Sequence, residues 1–269
     1  MSKIPYAVEL NDHCLLKVSG KDAASFLQGQ LSCDIHTVTL QHSSLGCCCD
    51  RKGRVLFSFR IFLKDDNYYL YLPKSIAESA LQHLQKYVII AKVNLQIEAC
   101  VSLGLGGDEI KLWLGKHIDH MPEKFNEAQL RRNEILICID DKNPRYLVIN
   151  ASAEIYAELN KASLNNWRYA EIEQGLVTIY PETQGLFIPQ MLDYEKWGAI
   201  SFTKGCYVGQ EIIARTQHLG KLKRHLHHLN FSQAVQLGEE ITHADKKGVA
   251  AAVCLNSENQ YAVLAVMQD

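Results

Sequence analysis

No apolar run in this 269-residue chain approaches the roughly 20 residues that a membrane-spanning helix needs; residues 249–255, seven in a row, are among the longest. The opening residues carry Lys3 with no apolar stretch behind it, so no signal peptide is expected. Charge of one sign is not in excess either. The 28 basic and 30 acidic side chains leave a net charge of -2, which excludes a globally basic nucleic-acid binder and leaves room only for a local basic patch. The phosphate-cradling patterns G-x-G-x-x-G and G-x-x-x-x-G-K-[ST] are absent, and Leu103-Gly-Leu-Gly-Gly107, lacking the third glycine at the right spacing, is expected to be a turn. Nine cysteines are present, an odd number, and none forms the C-x-x-C pairs of a zinc ribbon or a dithiol redox site. Most lie in apolar stretches, where a thiol behaves as a small hydrophobe, so a reducing, cytoplasmic setting is expected. In the run Cys47-Cys-Cys49 a strand would turn Cys48 away from its neighbours, which argues against a metal site there.

What the chain does have is enough apolar surface, 47% of residues, to fill a core and exclude wholesale disorder. Strands are expected at residues 14–18, 45–49, 54–63, 68–72, 92–99, 135–139 and 145–149, with polar turns such as Asp50-Arg-Lys-Gly53 between them. Helices are expected at residues 21–28, ended by Gly29, then from Pro73 with apolar positions at helical period through Val88, from a cap at Ser152 through Lys161, and over 167–174 before Gly175. Strands and helices in this order indicate an α+β protein, not a doubly wound sheet. The tail from Leu226 alternates short apolar runs with turns at Gly238, Gly248 and Asn256, as a small β unit would.

The most informative segment holds Lys204-Gly-Cys-Tyr-Val-Gly-Gln-Glu211. Gly205 and Gly209 bracket the cysteine, suggesting a loop that needs permissive backbone angles or close approach to a ligand. A helix over 210–216 would leave Cys206 just ahead of its N-terminus, with Lys204 two residues away; both favour thiolate. The alternative is an inert buried thiol beside a turn. Beyond it, Lys204, Arg215, Lys221, Lys223 and Arg224 face only Glu211, which is either a solvated face or an anion site for phosphate, a polyglutamate tail or RNA. His218, His225, His227 and His228 offer no tidy ligand set, and no metal is expected.

This eight-residue motif resembles the signature of the YgfZ family, folate-binding relatives of the glycine-cleavage T-protein that support maturation or repair of iron–sulfur proteins. Trp167, Ile172-Glu-x-Gly175, Phe187-Ile-Pro-Gln190, Ile200-Ser-Phe202, Gln28-Gly-Gln30 with Asp34, and Cys49-Asp-x-Lys-Gly53 are similar to the family as well, so the likeness spans about residues 10–225. It implies a three-domain aminomethyltransferase-like fold around a central channel. Residues 1–100 and 101–165 would form two α+β parts, 166–224 would complete the folate-binding region, and 225–269 would make a short β-barrel-like domain. It also implies that Cys206, with Lys204 beside it, is the reactive group. Tetrahydrofolate or a one-carbon derivative would be bound by Trp167, Glu173, Tyr207 and, where other members can have a second tryptophan, His13. A carboxylate at Glu173 suits the paired N–H groups of the pterin's amino-pyrimidine face.

Aligned on Lys52-Gly53, the paired aspartates of the T-protein fall on Phe57 and Ser58, neither of which holds a proton at neutral pH as a carboxylate does. The resemblance thus implies a monomeric accessory factor for iron–sulfur client proteins, radical tRNA-modifying enzymes among them. The resemblance further implies that such a factor would affect tRNA modification indirectly, without direct nucleic-acid contact. A folate-dependent one-carbon transferase and a direct tRNA binder are the alternatives.

Overall fold

The computed structural model describes residues 4–152 and 156–269. After β1 (Tyr6–Glu9) the chain lays down β2 (His13–Ser19), α1 (Ala23–Gln30), β3 (Ser44–Cys49), β4 (Val55–Lys64), β5 (Asn67–Pro73), α2 (Lys74–Gln85) and β6 (Asn94–Glu98). Strands β2–β6 form an antiparallel sheet in the order β3-β4-β5-β2-β6. Side chains alternate across its strands. On one face Leu16, Val18, Phe57 and Ile61 bury against Phe26 and Leu27 of α1 and Ile76 and Leu84 of α2. On the other, Leu15, Phe62, Tyr69 and Tyr71 pack with residues of a second sheet.

That second sheet has six strands in the order β11-β1-β7-β10-β9-β8 and draws β1 away from its neighbours in sequence. Its other members are β7 (Ser102–Gly106), β8 (Ala128–Arg131), β9 (Glu134–Asp140), β10 (Arg145–Ile149) and the two-residue β11 (Asn160–Lys161), with α3 (Ile110–His117) on its outer face. Residues 102–106 are therefore strand where glycines suggested a turn. The reason is packing: a Cβ at Gly104 would lie 2.5 Å from the Trp167 ring, and one at Gly106 2.5 Å from the Tyr6 hydroxyl. Of the helix expected over 152–161, residues 153–155 lie outside the described residues and 160–161 form β11. The helix expected to stop at Gly29 runs on through Gln30.

Next come α4 (Leu164–Gln174), a long connection with two short 3-10 turns, and α5 (Gln210–Leu219). Last is an antiparallel sheet of β12 (Arg224–Phe231), β13 (Glu240–His243), β14 (Lys246–Leu255) and β15 (Tyr261–Gln268), ordered β12-β15-β14-β13 and curled as a half-barrel. Helix α4 packs against β14 and β15, so it sits between this sheet and the first two. Among the described residues no helix is long and apolar enough to cross a membrane.

Candidate functional site: a cavity between two sheets and helix α4

A hollow of about 700 Å³, counted out to solvent, opens where the first two sheets meet α4. Leu10, Leu45, Phe59, Ile139, Leu147 and Val177 make its wall largely apolar. Helix α4 contributes Trp167 and Glu171, four residues apart and so on one helical face. The helix is held at both ends: the Ser163 hydroxyl accepts from the Asn166 N–H at 3.2 Å, and Gly175 closes it with φ 80°. The chain then turns at once, putting Leu176, Val177 and Thr178 on the cavity wall.

The two sheets supply the rest. His13 stacks on Tyr71 with centroids 4.6 Å apart and planes 13° from parallel. Its Nδ1 meets Asp12 Oδ1 at 2.8 Å, and Asp12 Oδ2 accepts from Arg168 at 2.7 Å, tying the start of β2 to α4. Burial alone would raise the Asp12 pKa; the hydrogen bonds and charges of His13 and Arg168 outweigh it and hold the carboxyl well below its ordinary range. Trp167 lies between Gly104 and the Arg145 guanidinium, whose Cζ is 5.0 Å from the ring centroid.

Most polar groups on the wall are already used. Tyr71 bonds Ser102 at 2.9 Å, Ser58 accepts from the Ile179 N–H at 2.9 Å, and Tyr194 donates to the Val177 carbonyl at 2.8 Å. Glu171 is different: its carboxylate has no hydrogen bond or ion pair among the described residues, and burial raises its pKa, the charges of Arg145 and His13 acting against the rise. A second hollow, toward Tyr180, Glu182 and Ala252 of the last sheet, shares Glu171, Leu176 and Thr178 with the first.

The signature loop is built separately from this wall. Lys204 is buried, its ammonium donating to the carbonyls of Leu31 and Cys33 at 2.8 and 2.7 Å and lying 5.0 Å from the centroid of the Tyr207 ring. Burial lowers its pKa to about 8. The Val208 N–H reaches the Gly29 carbonyl, and Gly209 (φ 85°) sits where a Cβ would be 2.5 Å from the Asp50 carbonyl oxygen. With both sides pinned, Cys206 between them is exposed. It lies three residues ahead of the Gly209 cap of α5. Lys204 directs its charge at the backbone carbonyls of Leu31 and Cys33, holding the loop that presents Cys206.

Of the anticipated binding residues, the cavity brings together Trp167 and His13. Tyr207 is buried outside it. Glu173 is also outside: two residues beyond Glu171 means about 200° around the helix, and its carboxylate lies 3.3 Å from His228 on the protein surface. The carboxylate residue that lines the cavity is Glu171. Arg60 and Tyr71, which sequence reasoning missed, reach the cavity because strand alternation puts them on the face opposite the α1–α2 core, a signal already present in β4 and β5. Among the described residues, no group of three or more His, Cys, Asp or Glu side chains is arranged to hold a metal. Cys47 and Cys49 share a strand face, Sγ to Sγ 3.8 Å, while Cys48 meets the Gln30 carbonyl.

No protein-family model matches the sequence. The tRNA-modifying protein YgfZ of Colwellia psychrerythraea is 33% identical over 231 residues, which cover 84% of this chain and 71% of that protein. This chain belongs to the YgfZ family. The tRNA-modifying protein YgfZ of Hamiltonella defensa is 31% identical over 237 residues, 84% of this chain and 70% of its own length. Among solved structures, the glycine cleavage system aminomethyltransferase T of Bartonella henselae matches with a TM-score of 0.78 at 14% identity, over 98% of this chain and 79% of that one. At that identity the match establishes the aminomethyltransferase fold for this YgfZ-family chain, on which function rests with the site residues themselves. One charge of its basic strip is paired: Arg215 with Glu211 at 2.9 Å.

Proposed function

We propose that the cavity binds tetrahydrofolate or a one-carbon derivative, and that the protein is a cytoplasmic accessory factor for the assembly or repair of iron–sulfur enzymes. Radical tRNA-modifying enzymes among those clients would link it to tRNA modification, methylthiolation included. The observation that carries the folate half is the wall itself: an indole and a stacked imidazole–tyrosine pair surround an apolar hollow in which the Glu171 carboxylate is left unengaged by the protein. Such a wall suits a flat heteroaromatic ring with N–H groups on one edge. Trp167 and His13 would hold the ring by its faces and Glu171 by its amino edge. When bound, the folate supplies a carrier for a one-carbon unit.

The client half draws on the signature motif, on an exposed Cys206 thiol presented by a rigidly anchored loop, and on relatives named tRNA-modifying proteins. Titration of tetrahydrofolate is expected to give a saturable change in Trp167 fluorescence that Trp167→Phe loses, with matching heat by calorimetry. No saturable signal in either would overturn the folate reading. Turnover of methylene-tetrahydrofolate with an amine donor, surviving Cys206→Ser, would favour a one-carbon transferase. Strong, salt-steep binding of bare tRNA would favour direct RNA contact.

A further inference from the structure

The fold treats the two edges of the first sheet differently. β3 is closed: the chain leaving α1 bridges to it between Leu31 and Cys48, the Ser32 N–H reaches the Cys47 carbonyl, and the strand is almost wholly buried. β6, Asn94-Leu-Gln-Ile-Glu98, pairs with β2 alone, and among the described residues no other backbone group bonds to it. Natural edge strands are guarded by proline, lysine or a bulge. β6 has none of these: its register with β2 runs without a shift, and its one charge, Glu98, is drawn to Lys17 of β2 at 3.4 Å. The chain on either side of it is apolar and open. Ile89 and Ile90, in the connection from α2, are 84% and 93% exposed, and Val101, past the other end of the strand, is 61% exposed. Ile89 and Ile90 are the only adjacent pair of large exposed apolar side chains among the described residues. One exposed apolar residue is ordinary, but several flanking an unpaired strand mark a contact surface.

We propose that two copies of the chain pair through β6, antiparallel about a two-fold axis at Gln96, so that the first sheet runs on from one copy into the other. This register sets Leu95 opposite the partner's Ile97 on the apolar face of the strand, where each is half-buried in a single copy. It sets Asn94 opposite the partner's Glu98 and brings the Ile89–Ile90 end of one copy beside the Val101 end of the other. Lys92, exposed at the first end, comes near the partner's Glu98 at the second. The strand thus carries the complement of each of its own ends, apolar to apolar and cation to anion. An isologous interface requires that self-match, whereas an unrelated peptide does not. The pairing departs from the monomer that the family resemblance implies, and it does not depend on the folate reading. The signature loop packs on the β3 side of the sheet, through Lys204 to Leu31 and Cys33 and through Gly209 against Cys49. Because β3 and β6 are opposite edges, pairing leaves both Cys206 thiols toward the outer ends of the shared sheet.

The test is sedimentation of the full chain from about 1 to 100 µM, in which the mass should rise from one chain toward two. Ile90→Asp should weaken self-association on the order of tenfold or more, because it removes an apolar contact at each end. Gln96→Lys sets like charges opposite one another at the axis and should weaken it similarly, as should Gln96→Glu. An equimolar mixture of Gln96→Lys and Gln96→Glu chains should associate again, because opposite charges then meet; a merely structural effect of either change would not be rescued by mixing. Both positions are exposed, so the denaturation midpoints of the variants should match that of the wild type. If Gln96→Lys does not fold, Ile90→Asp and Gln96→Glu decide. A single-chain mass at every concentration overturns the proposal, including the case in which a different protein occupies the edge. So does a dimer that these variants leave unchanged, or a mixture that associates no more tightly than either variant alone.

Discussion

Gly104 lies directly under the indole of Trp167: a Cβ built there would come within 2.5 Å of the ring carbon Cζ3. The glycine on the middle of β7 is thus what lets the aromatic wall of the cavity sit flush against the second sheet, with the Arg145 guanidinium also against the ring. Gly104→Ala should push the indole toward the cavity. The expected result is a loss of about 1–3 kcal/mol of stability from overpacking, a shifted Trp167 emission and weaker tetrahydrofolate binding. Unchanged emission and an unchanged denaturation midpoint would show that the ring does not rest on that strand.

Cys206 is exposed, and a Cβ on its neighbour Gly205 would meet nothing within 4 Å. Replacing Sγ by Oγ there removes no packing. Cys206→Ser should leave unfolding within about 0.5 kcal/mol of wild type while abolishing support of iron–sulfur client activity in a strain lacking the gene. Full rescue by the variant would contradict a chemical role for the thiol.

Lys204 makes stability depend on alkaline pH. Its folded pKa, lowered by burial to about 8, lies below the ordinary 10.5. Between those values the unfolded chain binds the extra proton, so this group makes the protein more stable as pH rises through that window. Lys204→Met should remove the rise, seen as a flatter difference in denaturant midpoint from pH 7.5 to about pH 10. It should also destabilise at neutral pH, because the buried carbonyls of Leu31 and Cys33 lose their donor. A variant with the same alkaline slope as wild type would refute the assignment.

Asp12 acts at the acid end. Its folded pKa is depressed below the ordinary 3.8 because the His13 and Arg168 contacts outweigh burial. The stability it contributes is present above 3.8 and is lost as pH falls toward the folded value. Asp12→Asn should therefore lower stability at neutral pH and reduce the loss seen on acidification below about pH 4, measured by denaturant titration at several pH values. Parallel acid profiles would show that the contact to α4 carries no charge linkage.

Local order was written in local patterns. The alternation of Val55, Phe57, Phe59 and Ile61 specifies β4, and the period of Ile76, Ala77, Ala80 and Leu84 specifies α2, because each residue's side is set by backbone geometry within a few positions. Residues 102–106 misled for the opposite reason: glycines that read as a turn are there to admit Trp167 and Tyr6 from elsewhere in the chain. Four-residue strands such as β1 are too short to show a period at all.

The amino-acid order alone determined the α+β class, the family signature around Cys206, and the presence of Trp167 and His13 as aromatic candidates. Only the tertiary structure decided that Glu171 and not Glu173 faces the cavity, that Arg60 joins it from β4, and that the Lys204 ammonium turns inward to Leu31 and Cys33. Periodicity states which side chains share a face. Which face meets a hollow depends on how two sheets and a helix, more than 100 residues apart in places, close around the same space.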